Sequence, residues 1–327
     1  MTTCEQPLPP LPEPLSGAAT GSFAYLTVIE RLPRINREVL EENDFPAAIE
    51  ARLKQLLSEL PHGAIRPLDD PGAPDAADWD GYVTPYLGRN WLQIPWFFAE
   101  SYFYRRILEA TGYFQPGAWQ GIDPYLSQKR AVLEAATPVI QVYCQELDEI
   151  LGTTDPSPDQ RREALHRLLV ANVWGNQADL SMWSVQDERP DHQEREDQRA
   201  HLLGDDSERV AGLLCASPYG VERVDFILDN YGLELAHDIG LADYLLTSRA
   251  ARRVGFSLRA HPIFVSDAIP GDIERMLGYL SGSGDEYASR LTARVQGHLA
   301  SGRLELTSDY YWTSPLPMWE MPARMRD

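Results

Sequence analysis

Beyond about residue 205 the hydrophobic period of this chain changes, and that change limits its fold more than any other feature. Two short β-rich runs, "VDFIL" and "PIFVS", are each followed by an acidic residue and then by helical spacing, and "RLELTS" reads as a third strand. Between the first two, Leu235, Ile239, Ala242 and Leu246 mark the packed face of a helix. Strands that alternate with helices of this length predict a mostly parallel sheet in an α/β domain.

Upstream, from about Phe23 to Leu203, the spacing is helical. "FPAAIEARLKQLLSEL" sets Ile49, Leu53, Leu56, Leu57 and Leu60 on one stripe. "NWLQIPWFFAESYFYRRILEATGYF" predicts a largely buried helix, with Pro95 suited to a first-turn position. "SQKRAVLEAATPVIQVYCQELDEIL" and "DQRREALHRLLVANVWGNQADLS" continue the pattern around a loop at "GTTDPSPDQ", and "VQDERPDHQERED" reads as a solvated connector. The expected organisation is a proline-rich, mobile lead-in over 1–20, a helical domain over 21–203 and the sheet domain over 204–327.

Composition narrows the function. A net charge of −20 argues against nucleic acid or an anionic membrane as partner, since both need a basic face. No apolar run reaches the length of a membrane helix, and "MTTCEQPLPPLPEPLSG" lacks the basic and apolar regions of a secretory signal. Cys4, Cys144 and Cys215 are scattered and odd in number, which fits free thiols in a reducing cytoplasm. Lysine occurs only at Lys54 and Lys129. There is no Gly-Lys-Ser/Thr triplet for a Walker A loop, so a phosphate in the C-terminal half must be gripped by arginine, backbone N–H groups or a metal.

The acidic residues point to a site. Ligands of an open α/β sheet sit beyond the carboxyl ends of its strands. Asp229 and Asn230 follow "VDFIL" there, and Asp267 follows "HPIFVS". Carboxylates with an amide oxygen form a hard ligand set suited to Mg²⁺ or Mn²⁺, and without a cation two crowded carboxylates would repel. Gly232 permits close backbone approach, and the helix beyond it offers N–H donors to an anion. Each acid alone is also a common turn former or cap.

A second polar cluster is "VWGNQADLS", where Asn176 and Asp179 lie three apart beside Trp174 and Gly175. Asn176 reads either as a helix cap or as a group reaching a ligand from the helical domain. Glu100 reads either as a ligand contact or as the partner of Arg105 or Arg106. "GYLSGSGDEY" follows a helix rather than a strand, so it is a connector and not a nucleotide loop. His261, before Pro262, serves local packing. No Gly-x-Ser-x-Gly elbow or His-Glu-x-x-His pair occurs.

In order along the chain, "FAYLTVIERLPRI", "IPWFFAESYFYRRI", "VWGNQADLS", "LLGDDSERV", "VDFILDNYGLELAHDIGLADYLL", "HPIFVSDA" and "YYWTSPLPMWEMP" resemble the metal-dependent damage-control phosphatases. The similarity is to the branch also described as acidic-residue methyltransferase-like. The resemblance implies an N-terminal helical domain joined to a Rossmann-like α/β/α domain. It implies one divalent ion (Mn²⁺, Mg²⁺, Co²⁺ or Ni²⁺) on Asp229, Asn230 and Asp267, with the same residues catalytic. It places Glu234 and Asn176 on the substrate side and implies hydrolysis of small phosphate esters such as fructose 1-phosphate or fructose 6-phosphate. The partner so implied is a small phosphorylated metabolite.

Two departures are visible. Arg259, expected on the substrate side, stands where the family pattern has a lysine before the second metal Asp, which keeps the charge but alters the donor geometry. The family's Lys-Gly-Asp-x-Asn-Tyr-Arg phosphate clamp is not found before Asp327, so the sheet domain is expected to be incomplete at its C-terminus. Two other functions compete with the phosphatase. One is an S-adenosylmethionine-dependent carboxyl methyltransferase, for which there is no strand-linked Gly-x-Gly-x-Gly loop. The other is a non-catalytic remnant that binds metal or sugar phosphate.

Overall fold

The computed structural model of the chain describes residues 12–175, 202–217 and 220–326. The expected readings of Asn176, Asp179, the 185–197 connector and most of the proline-rich lead-in fall outside the described residues. No described helix is long and apolar enough to cross a membrane.

The longer described helices of the first unit are α1 (Leu32–Glu42), α2 (Ala47–Glu59), α3 (Ala76–Val83) and α4 (Trp96–Thr111). Their apolar stripes close on an aromatic core in which Trp91 and Tyr102 lie 5.2 Å apart and Phe98 stacks on Tyr102. Pro95 is the residue before the first turn of α4 rather than a member of it, and Gly112 ends that helix in a left-handed cap.

The second unit begins with α5 (Leu126–Leu151), α6 (Pro158–Val173) and α7 (Ser207–Cys215). Then come β1 (Val221–Ile227), α8 (Leu233–Thr247), β2 (Ala251–Arg259), α9 (Pro270–Gly282), α10 (Glu286–Ala300) and β3 (Leu304–Asp309). All strand pairs are parallel, in the order β1-β2-β3, so the α/β class holds. Val224, Phe226, Val254, Phe256, Leu258, Leu304 and Leu306 face the helices and share one core with them. The opposite face carries Arg223, ion-paired to Asp225 at 2.9 Å and Glu305 at 2.6 Å. α8 is buried from Leu235 to Leu246, because α5 and α6 form a further helical layer over it. Cys144 and Cys215 are free thiols.

Two expectations are corrected. The compact units divide at Ile122/Asp123, not at 203/204; the first also takes in Pro315–Glu320. The helical spacing of α5 and α6 is real, but their apolar faces are spent on α8 and α10, so they belong with the sheet. The second correction concerns "PIFVS", which is a turn and not a strand. The strand is the preceding "ARRVGFSLR", whose adjacent exposed Arg252 and Arg253 disguise its period. Ile263 and Val265 are apolar because the turn itself is buried.

Candidate metal centre

β1 ends at Ile227, but its ladder continues for one residue, with Leu228 N–H donating to the Ser257 carbonyl at 3.0 Å. The chain then leaves the sheet at Asp229 and is stitched to the turn after β2. Asn230 and Asp267 form an isolated antiparallel bridge, Tyr231 N–H donates to the Ser266 carbonyl at 2.7 Å, and Ala268 N–H donates to the Asp229 carbonyl at 2.7 Å. Gly232 follows with φ 104° and ψ −131°, a conformation essentially closed to residues with a Cβ, and α8 starts at once. On the other side, Phe264 and Val265 hold φ of 49° and 68°. A left-handed β-branched valine is an outlier that costs on the order of 1–3 kcal/mol. Its burial holds it there, and the kink turns Ser266 and Asp267 toward Asn230.

The side chains then close a network. Arg259 Nε donates to Asp267 Oδ2 at 2.5 Å, Nη2 to Asp229 Oδ1 at 3.2 Å and Nη1 to the Trp312 carbonyl at 2.8 Å. Asn230 Nδ2 donates to Asp229 Oδ2 at 3.2 Å and to Glu234 Oε2 at 3.0 Å, while its Oδ1 accepts from Ser266 Oγ at 2.5 Å. Asn230 and Asp267 are buried, whereas the Asp229 side chain is 46% exposed and forms the open rim. Two carboxylates are thus crowded around one positive group, the guanidinium of Arg259. Arg259 therefore sits on the two candidate ligand acids themselves.

The donor set fits a hard divalent cation. Two carboxylates already demand a positive charge between them, and a half-turn of the Asn230 amide would present its oxygen in place of its NH₂. Among the described residues no group of three or more His, Cys, Asp or Glu side chains is arranged to hold a metal. A cation here would rest on two carboxylates and one amide.

Glu234 and Asp238 lie one turn apart on α8, facing this cluster. Burial first, and then the charges of Asp229, Asp238 and Asp267, push Glu234 up to about 8 against the pull of Asn230. Burial also raises Asp238 to about 7, although Asn172 Nδ2 donates to its Oδ1 at 2.7 Å. Asn172 and Ser266 were missed in the sequence. The only trace of Asn172 was its place four residues before Asn176, on the face of α6 that meets α8. Glu100 belongs to the first unit, where it is buried and ion-paired to Arg31 rather than to Arg105 or Arg106. His261 is fully buried, its Nδ1 3.1 Å from the Pro262 carbonyl, as local packing requires.

These raised values set a pH dependence. Between pH 4.5 and about 8 the folded chain keeps the Glu234 proton that the unfolded chain has released. Metal-free stability therefore falls as pH rises through that window. Glu234→Gln is expected to flatten the fall and to exceed the wild type at pH 8 by on the order of 1–2 kcal/mol, after allowance for screening. Urea unfolding of chelator-treated protein at pH 5 and pH 8 checks this, and parallel pH profiles for the two proteins would contradict it.

A model of the damage-control phosphatase ARMT1-like domain matches residues 27–327. The protein named damage-control phosphatase ARMT1 in Danio rerio is 30% identical over 344 residues, covering 95% of this chain and 76% of its own length. Its counterpart in Rattus norvegicus is 30% identical, covering 94% of this chain and 77% of its own. That of Homo sapiens is 28% identical, covering 95% and 78%.

Proposed function

We propose a function from one premise: this chain belongs to the damage-control phosphatase ARMT1-like family, whose model spans residues 27–327. On that premise it hydrolyses small phosphate monoesters, sugar phosphates such as fructose 1-phosphate and fructose 6-phosphate among them, and depends on a divalent ion. The observation that carries the reading is the convergence of Asp229 and Asp267, from two separate loops, on a single cationic group with Asn230 between them.

Asp229, Asn230 and Asp267 would hold the ion. When bound, such an ion polarises a phosphoryl oxygen and lowers the pKa of a coordinated water. The chain's own residues do the rest. Asp267, buried and tied by main-chain bonds, is the fixed wall of the site, and exposed Asp229 faces the entering phosphate. Ser266 holds the Asn230 amide. Arg259, on the same two acids, lies within reach of an incoming phosphate and offers it a planar pair of donors. The first turn of α8, opened by Gly232, presents backbone N–H groups to an anion. Glu234 keeps its proton at neutral pH in the metal-free state, which suits a donor to the departing sugar oxygen.

The test is phosphate release from a panel of sugar phosphates, with and without chelation. Release should vanish with chelator and return with Mn²⁺ or Mg²⁺. Turnover indifferent to chelation would remove the metal from the reading, and no turnover with any phosphate ester would remove the phosphatase.

A further inference from the structure

We infer that Lys129 is a positioning residue of this centre, holding Asp267 in its orientation from behind. The inference rests on the phosphatase reading for its function but on geometry for its existence. Lys129 lies on α5 with its side chain fully buried. Its Nζ donates to Asp123 Oδ2 at 2.9 Å, to Asp272 Oδ2 at 2.8 Å and to the main-chain carbonyl of Asp267 at 2.9 Å. An ammonium has three N–H donors, and these three acceptors use all of them.

The acceptors are themselves held. Asp123 Oδ1 accepts from Tyr125 N–H at 2.9 Å. Asp272 caps α9 through Ile269 N–H at 3.0 Å and accepts from Arg275 Nη1 at 2.8 Å. Both ends of the 267–272 segment, which leads into the first turn of α9, are therefore fastened to one nitrogen: Asp267 by its carbonyl and Asp272 by its carboxylate. With that carbonyl held on the inner side, the Asp267 side chain is directed outward to Arg259. Charge balance alone does not call for the third bond, since Lys129 and Arg275 already match Asp123 and Asp272. A purely structural ion pair would serve as well with water or another carbonyl in that place.

The charge count supplies the test. Lys129→Met with Asp123→Asn removes one charge of each sign and leaves the Arg275–Asp272 pair, whereas Asp123→Asn alone keeps the Lys129–Asp267 bond. Two readouts on the full chain separate them: amide hydrogen exchange over residues 262–272 without metal, and calorimetric binding of Mn²⁺ alone. In the double variant, exchange at 266–268 should rise about tenfold and the Mn²⁺ Kd should weaken about tenfold, with β3 exchange unchanged. In the single variant both should stay within about twofold. A folded double variant with wild-type exchange at 266–268 would overturn the inference. Should the double variant not fold, Lys129→Arg takes its place with the same readouts, because a planar fork cannot reproduce the three-point grip. If the wild type binds no Mn²⁺, the metal reading fails by itself, and exchange alone decides the hold on Asp267.

Discussion

Asp267→Asn is expected to lower phosphate release by about three orders of magnitude, equivalent to roughly 4 kcal/mol of transition-state stabilisation, while the protein stays folded. The asparagine keeps the shape of the side chain, and the main-chain bonds that flank it, Ala268 N–H to Asp229 and Tyr231 N–H to Ser266, are unaffected. Arg259 is not left as a buried charge without a partner, since it retains Asp229 at 3.2 Å and the Trp312 carbonyl at 2.8 Å. Stability should therefore fall only by about 1–3 kcal/mol, the scale of one charged hydrogen bond. What is lost is one of two negative charges, and with it, on the proposed function, most of the attraction for a divalent ion. Initial rates measured beside an unfolding curve separate the two effects. A variant of near-normal rate would remove Asp267 from the centre; a variant that fails to fold would instead make its role structural.

The second large effect is expected in the first unit. Arg105 is fully buried in the first unit, its Nε 2.8 Å from Asp75 and its Nη2 2.8 Å from Asp70, with the guanidinium 4.8 Å from the ring centre of Phe114. Both aspartates are almost completely buried as well. Arg105→Met fills much of the same volume but removes the positive charge that Asp70 and Asp75 share in a low-dielectric interior, while Gln115 Nε2 still donates to Asp70. Breaking a buried ion pair from one side costs about 3–5 kcal/mol, because the remaining charge is uncompensated. Urea unfolding of the full chain should show that loss, and Arg105→Met/Asp70→Asn/Asp75→Asn should recover part of it. A single variant as stable as the wild type would mean that water reaches Asp70 and Asp75.

The comparison of sequence with structure is instructive at particular residues. Asp229 and Asn230 were legible because an acidic pair just after an apolar strand, followed by glycine and helical spacing, is a local pattern. Asp267 was legible as an acid but for the wrong reason: it follows a buried turn, and its strand ended eight residues earlier at Arg259. The charge of Arg259 could be read, but not its grip on both acids. Lys129 stood out only as one of two lysines. Its partners Asp267 and Asp272 lie 138 and 143 residues away, and Asn172 meets Asp238 across 66.

The sequence by itself therefore determined the α/β class, most of the described helices, two of the three described strands and the acids of the candidate centre. Each of these is written in spacing over a few neighbouring residues, where side-chain period and turn chemistry act directly. Only the tertiary structure decided that α5 and α6 belong with the sheet, that "PIFVS" turns and that Arg259 bridges the two carboxylates. Burial, charge pairing and main-chain bonds between distant segments settle those points, and such energies depend on which surfaces meet rather than on which residues are adjacent in the chain.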